Sequence, residues 1–164
     1  MNIGGMEIER KYMIAMPDKG FLETLDATEI TQTYLLGEKN TTERVRKRGR
    51  DGNFVYTHTI KRKISNMSRF EDEREISLEE YEALLLRVDP QRRSIEKIRY
   101  CYDYKGALWE IDVFPFWQDK AVMEIELSSE NEQICYPENI IIIRELTDDK
   151  RYTNAAMAKA IPED

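Results

Sequence analysis

Polar and apolar residues alternate through most of this chain, and this period of two limits its fold more than any other feature. Examples are Glu7-Ile8-Glu9-Arg10-Lys11-Tyr12 near the start and Met123-Glu124-Ile125-Glu126-Leu127 further on. Successive side chains of a β-strand point to opposite faces, so alternation is typical of strands. The pattern predicts strands over residues 6–14, 29–36, 42–50, 53–64, 69–76, 94–104, 107–114 and 121–128.

Turn and helix signals separate these strands. Asp51-Gly52 and Lys105-Gly106 predict hairpin turns between neighbouring strands. Ser77 stands three residues before Glu80 and is followed by apolar residues at helical spacing, which predicts a capped amphipathic helix over 78–88. Weaker signals predict helices over 18–25 and 154–160.

Length and composition favour one domain. The chain has 164 residues, 41% of them hydrophobic, and no Pro/Gly/Ser-rich linker divides it, so we expect a single domain over 1–164. A net charge of -7 argues against a surface that binds nucleic acid. Neither an apolar run long enough to span a membrane nor a secretory leader is evident, and the two cysteines lack CxxC spacing. We therefore expect a cytoplasmic protein with no membrane partner.

The polar faces of the strands are unusual because each keeps largely to one sign of charge. Charged residues make up 35% of the chain, well above the roughly 25% of an average protein. Like charges two residues apart on one face repel, so an ordinary solvated face mixes the signs. The same-parity sets along the chain are Glu7 and Glu9 with Lys11; Arg44, Arg46, Arg48 and Arg50; Thr57, Thr59 and Lys61; Glu71, Glu73 and Glu75; Lys97 and Arg99; Glu110 and Asp112; and Glu124 and Glu126.

These faces need a partner that neutralises them. If they point into a closed barrel, the acidic rows can bind a divalent cation through carboxylate oxygens and the basic rows can bind a polyanion. Phosphate together with Mg²⁺ or Mn²⁺ would satisfy both rows. A sheet with a highly charged solvent face remains the alternative.

The motif Glu7-Ile8-Glu9-Arg10-Lys11 (ExExK) resembles the start of the CYTH family, the triphosphate tunnel metalloenzymes. The resemblance continues in order along nearly the whole chain, through Gln32-Thr33-Tyr34, Arg44-Val45-Arg46, Thr59-Ile60-Lys61, residues 69–73, Lys97-Ile98-Arg99-Tyr100, residues 110–113, Glu124-Ile125-Glu126 and residues 147–154. It implies a mainly β, α+β fold in which eight antiparallel strands close into a tunnel with helices packed outside.

The resemblance also implies roles for individual residues. The metal-associated acids would be Glu7, Glu9, Glu110, Asp112, Glu124 and Glu126, with Glu71, Glu73 and Glu75 completing the acidic side. The phosphate-binding set would be Lys11, Arg44, Arg46, Lys61, Lys97 and Arg99. Within both sets, Glu7, Glu9, Lys11, Arg46 and Lys61 would be catalytic, with Mg²⁺ or Mn²⁺ as cofactor. The roles of Arg48, Arg144 and Arg151 stay open.

Other reactive arrangements are poorly supported. His58, the only histidine, has the opposite parity to Lys61, which places it on the wrong face for a nucleophilic site. Cys101 shares the parity of Lys97 but is expected to be a buried structural thiol. Trp109 and Trp117 are expected to pack against the outer helices.

The first functional hypothesis is hydrolysis of inorganic triphosphate. The alternatives are a class IV adenylate cyclase, a thiamine triphosphatase, and a binding module that holds triphosphate-containing ligands without turnover. In each case the partner is a small molecule that contains triphosphate. The sequence leaves monomer and homodimer open.

Overall fold

The structure is a computed structural model that describes residues 5–163, so both ends of the predicted domain 1–164 lie outside the described residues. It contains nine strands: β1 (Gly5–Ala15), β2 (Asp26–Tyr34), β3 (Thr41–Arg50), β4 (Asn53–Lys63), β5 (Ser68–Ile76), β6 (Ile95–Tyr104), β7 (Ala107–Val113), β8 (Lys120–Glu126) and β9 (Ile142–Glu145). The helices are α1 (Lys19–Leu22), α2 (Leu78–Leu84) and α3 (Asn154–Lys159), with 3₁₀ turns at Leu85–Arg87 and Lys150–Tyr152.

Eight of the strands close into an antiparallel barrel. Their order is β5-β4-β3-β2-β6-β7-β8-β1, and β1 pairs with β5 to complete the ring, from Gly5 opposite Glu71 to Ile8 opposite Ser68. All eight predicted strands are present within a few residues of their predicted ends. The prediction of a closed, mainly β barrel is confirmed, and the open charged sheet is excluded.

The sequence pattern did not predict the ninth strand. Strand β9 adds to β1 beyond the closure with β5, and the pairing is irregular between Met13 and Ile14. Its segment begins with four consecutive isoleucines, Ile140 to Ile143, of which Ile141 and Ile143 are exposed. A short run without alternation cannot be assigned to a strand by periodicity.

The predicted turns and the helix cap are present. In both hairpin turns the two central residues have positive φ: 55° and 82° at Asp51 and Gly52, and 50° and 84° at Lys105 and Gly106. This conformation matches the twist of the flanking strands. The Ser77 hydroxyl accepts a hydrogen bond from the backbone of Glu80, whose side chain accepts one in return from the Ser77 backbone.

The three helices are shorter than predicted. Helix α2 ends at Leu84 and tightens into the 3₁₀ turn, because Val88 leaves the helical path to pair with Leu35. Helix α1 spans only Lys19–Leu22 of the predicted 18–25, and α3 ends one residue early. None of the helices in residues 5–163 has the length and hydropathy needed to cross a membrane.

The apolar cores lie largely outside the barrel. One packs the outer face of β1, β7 and β8 and includes Trp109, which contacts Tyr12 and Tyr136. A second lies under α2, and a third closes one end of the barrel beneath α3 and includes Trp117. Both tryptophans are buried in cores. Trp117 lies in the core beneath helix α3, as predicted, whereas the ring contacts of Trp109 are with Tyr12 and Tyr136. Most of the side chains that line the barrel interior are polar or charged.

Candidate active site

A cavity of about 860 Å³ lies inside the barrel and is lined largely by side chains that alternation placed on the inner face. The structure brings together nearly all of the predicted site residues in this one space. The predicted residues that line it are Glu7, Glu9, Lys11, Arg44, Arg46, Arg48, Lys61, Glu71, Glu73, Lys97, Arg99, Glu110, Glu124 and Glu126.

Four residues that the sequence analysis considered for a role in the site do not line the cavity. Asp112 is only 1% exposed and lies behind Lys97 and Arg99. Glu75 is exposed near the end of β5. Arg144 and Arg151 lie outside the barrel, where both contact Asp149.

The wall formed by β2 and β3 carries two buried arginines. Arg44 and Arg46 are 7% and 6% exposed, and among residues 5–163 no carboxylate oxygen lies within 4.0 Å of either guanidinium. Burial, followed by repulsion from Arg44 and Arg99, lowers the pKa of Arg46 to about 9. The Nε atom of Arg44 is buried and has no hydrogen-bond partner in the part of the chain that the structure describes. Within residues 5–163 this wall therefore carries positive charge that no carboxylate contacts, which makes it suited to an anionic ligand.

The wall formed by β6 and β7 places its cations against a carboxylate. Lys97 Nζ lies 2.7 Å from Asp112 Oδ2, and Arg99 binds the same carboxylate through Nε at 2.8 Å and Nη2 at 2.9 Å. Burial by itself would raise the pKa of Asp112, but Arg99 and Lys97 hold it well below its usual range. Arg99 also lies 3.4 Å from Glu110 Oε2.

The acidic side is formed by β1 and β5. Lys61 Nζ lies 3.4 Å from Glu7 Oε1 and 3.8 Å from Glu71 Oε2, and Arg69 Nη1 lies 3.8 Å from Glu9 Oε1. Burial raises the pKa of Glu9 to about 7, with a further contribution from Glu124. Burial and a hydrogen bond with Glu71 raise the pKa of Glu7. Carboxylates crowded in this way favour a bound proton or a bound cation.

Lys11 and the C-terminal segment complete the site. Lys11 Nζ lies 3.5 Å from Glu124 Oε1 and donates a hydrogen bond to the backbone oxygen of Tyr152 at 3.3 Å. Burial alone would raise the pKa of Glu124, but Lys11 and its other cationic neighbours lower it to about 2. Lys97 Nζ also donates to Asn154 Oδ1 at 3.3 Å.

Sequence reasoning left several cavity residues without a role. Lys63 and Arg69 have the same parity as Lys61 and Glu71, so alternation already contained the signal for them. Tyr34 belongs to a quoted motif and lines the cavity, but it received no assignment. Asn154 lies at the start of α3, where strand parity gives no information.

The two other reactive side chains are placed differently from each other. His58 lies outside the barrel with Nε2 2.7 Å from Glu43 Oε2, and Arg87 contacts the same carboxylate at 2.9 Å. Its outward position agrees with the parity argument. Cys101 lines the cavity and is only half-buried, so the expectation of a buried structural thiol is not met.

The closed barrel carries un-neutralised arginines on one wall and crowded carboxylates on another. These are the features of an enzyme cavity that binds a polyanion together with a cation. An inorganic triphosphatase of Acetivibrio thermocellus is 31% identical to this chain over 156 residues, covering 94% of each chain. An inorganic triphosphatase of Nitrosomonas europaea is 33% identical over 159 residues, covering 95% of this chain and 99% of the relative. A solved structure of an inorganic triphosphatase has a TM-score of 0.61 and 30% identity, covering 99% of this chain and 100% of that one.

The chain therefore belongs to the inorganic triphosphatase family. No protein-family model matches the sequence. The resemblance to the CYTH family is supported by the fold and by these relatives, so the barrel is CYTH-like.

Proposed function

We propose that this protein hydrolyses inorganic triphosphate with the help of a divalent metal ion inside the barrel. The observation that carries the proposal is the opposition of two walls in one cavity. Arg44 and Arg46 present positive charge that no carboxylate of the described residues contacts, and Glu7, Glu9 and Glu124 lie across the same space. A chain of phosphates bridged to a cation complements both sides.

The phosphate-binding residues in this proposal are six cations of the barrel interior. Arginine can hold two non-bridging oxygens at once, whereas lysine acts as a compact point charge. Phosphoryl transfer depends mainly on positioning and on neutralising charge, which these residues provide without covalent chemistry. The proposed set is Lys11, Arg44, Arg46, Lys61, Lys97 and Arg99.

The acidic side is chemically suited to Mg²⁺ or Mn²⁺. It offers hard carboxylate oxygens, one of which, Glu71 Oε2, is buried without a hydrogen-bond partner. In the described residues the carboxylates contact lysine and arginine, and no three candidate ligands converge on one point. The residues that would hold the ion are Glu7, Glu9, Glu110, Glu124 and Glu126. Asp112, which the resemblance also assigned to the metal, is instead bound by Lys97 and Arg99 behind the cavity wall. When bound, such an ion polarises phosphate oxygens and activates water.

The protein residues then have distinct tasks. Arg44 and Arg46 would bind and orient the phosphates, while Lys11 and Lys61 would balance charge between the phosphates and the carboxylates. Water is the nucleophile in this proposal. Glu9 faces the cavity, and burial raises its pKa in the metal-free protein; a bound cation would favour its ionised form.

Phosphate release tests the proposal directly. Tripolyphosphate, pyrophosphate, ATP and thiamine triphosphate are each supplied with Mg²⁺ or Mn²⁺, and we expect the highest kcat/KM with tripolyphosphate. Excess EDTA should abolish release. Equal turnover in EDTA would reject the metal role. Cyclic AMP formed from ATP faster than phosphate is released from tripolyphosphate would favour a cyclase, and binding without turnover would favour a binding module.

The acidic residues can be tested with variants that keep side-chain shape. Glu124→Gln and Glu126→Gln each remove a negative charge, so we expect a large loss of kcat and a higher metal requirement. Glu96→Gln, on the exposed outer face of β6, is the matched control and should behave like the wild type. An unchanged metal requirement in both inner variants would remove these residues from the site.

A cytoplasmic location and the absence of a nucleic-acid partner remain predictions.

A further inference from the structure

Gln32 is a neutral side chain in the middle of the charged interior. It lies on β2 directly opposite Arg46 on β3, and it is fully buried at 0% exposure. Burying an amide requires hydrogen-bond partners, because an unsatisfied amide in the interior is costly. The partners of Gln32 therefore indicate what it does.

Both ends of the Gln32 amide are used. Its Oε1 atom accepts hydrogen bonds from Nε of Arg46, at 2.9 Å, and from Nη2 of the same guanidinium. Its Nε2 atom donates to the hydroxyl of Tyr34 at 3.0 Å. Two bonds to one oxygen fix the direction of the guanidinium, and the tyrosine fixes the direction of the amide.

The neutrality of this partner matters because a carboxylate fills the equivalent cross-strand position on the neighbouring wall of β6 and β7. Asp112 receives Nε and Nη2 of Arg99 and neutralises that arginine. Gln32 receives the same two nitrogens of Arg46 but adds no charge. Arg46 is thus oriented through the same two nitrogens as Arg99, but its partner adds no negative charge that would compete with a ligand.

We propose that Gln32 is a positioning residue that orients Arg46 towards the substrate phosphates while leaving its charge un-neutralised. Tyr34 supports it by accepting the amide hydrogen bond. This inference rests on the proposed function, since it assigns Gln32 to the same phosphate site. It goes further because it explains why an amide, rather than a carboxylate, faces Arg46.

The decisive variant is Gln32→Glu, which keeps the shape and the bonds to Arg46 but adds a negative charge. Gln32→Met keeps the approximate size and loses all three hydrogen bonds. Gln133→Glu makes the same chemical change at an exposed position and serves as the control. The measurements are kcat and KM for tripolyphosphate with Mg²⁺, the melting temperature without ligand, and tripolyphosphate affinity by calorimetry.

We expect Gln32→Glu to melt at or above the wild-type temperature and to lose about 30-fold or more in kcat/KM, with weaker tripolyphosphate binding. Gln32→Met should lose both melting temperature and kcat/KM. Gln133→Glu should match the wild type in every measurement.

A merely structural role makes the opposite prediction for Gln32→Glu. If Gln32 served only to satisfy Arg46, the glutamate would preserve activity along with stability, and wild-type kcat/KM in that variant would overturn the inference. A wild type that binds tripolyphosphate without hydrolysing it would refute the proposed function, while weaker binding by Gln32→Glu would still support the role of Gln32. If the wild type does not bind tripolyphosphate, both proposals fail.

Discussion

The two basic walls of the barrel treat buried positive charge in opposite ways. On β6 and β7, Lys97 and Arg99 share the carboxylate of Asp112, whereas on β2 and β3 Arg46 is held by the neutral amide of Gln32. A buried cation paired with a carboxylate is stable without a ligand, but part of its charge is already used. A buried cation held by an amide destabilises the ligand-free protein more than one paired with a carboxylate does. It also attracts an anionic ligand more strongly. The difference separates a wall built mainly for stability from one built mainly for binding.

The largest expected effect is the loss of stability when the wall of β6 and β7 loses its buried carboxylate. Asp112→Asn removes the only carboxylate that contacts Lys97 within the described residues, and it leaves Arg99 with the contact to Glu110 alone. Breaking such a pair costs about 3 to 5 kcal/mol in free energy of unfolding. Denaturant titration of the metal-free protein measures this loss. A loss no larger than that of an exposed Asp119→Asn control would show that the pair is not a stabilising element.

The next effect concerns the un-neutralised wall. Arg46→Ala should raise the barrier for tripolyphosphate hydrolysis by about 2 to 4 kcal/mol, because it removes a preorganised charged contact. Lys47→Ala removes a charge at the adjacent, outward position and should change kcat/KM by less than about threefold. Lys61 and Arg62 provide a second inward and outward pair. Similar losses for inward and outward variants, all folded by circular dichroism, would mean that general positive charge supports the activity.

The acidic side gives a smaller, pH-dependent effect. The raised pKa of Glu9 means that its ionisation destabilises the folded protein, so the stability present below pH 4.5 is lost as the pH rises to about 7. Without metal, Glu9→Gln should therefore raise the free energy of unfolding by about 2 kcal/mol at pH 8 and much less at pH 5. Thermal melting in EDTA at both pH values measures this. An equal gain in the free energy of unfolding at both pH values would contradict the raised pKa of Glu9.

The smallest expected effect comes from removing the Tyr34 hydroxyl, which accepts a hydrogen bond from the Gln32 amide. Tyr34→Phe removes the hydroxyl that accepts from Gln32 Nε2, and loss of one buried hydrogen bond costs about 1 kcal/mol. We expect kcat/KM to fall by about threefold to tenfold, since Arg46 stays bonded to Gln32 but the amide is less firmly oriented. A Tyr56→Phe variant, on the outer face of β4, is the control. Equal kinetics for the two variants would remove Tyr34 from the positioning role.

Much of this molecule was predictable because alternation is a local property of the chain. It located eight strands and assigned Arg46 and Lys61 inward and His58 outward, before any pairing was known. The capping box of Ser77 and the two glycine turns are also local signals. Strand β9 was missed because its isoleucine run does not alternate, and Val88 was placed in a helix because its pairing with Leu35 is not local.

The sequence by itself determined which side chains face the interior, but only the tertiary structure decided what each of them contacts. Register places Arg46 opposite Gln32 and Arg99 opposite Asp112, and neither partnership can be seen in the spacing of residues along one strand. The C-terminal segment likewise brings Asn154 to Lys97 from 57 residues away. Alternation arises within a strand, whereas neutralisation depends on which strands become neighbours and in what register, so the charge left available for a ligand is a property of the closed barrel.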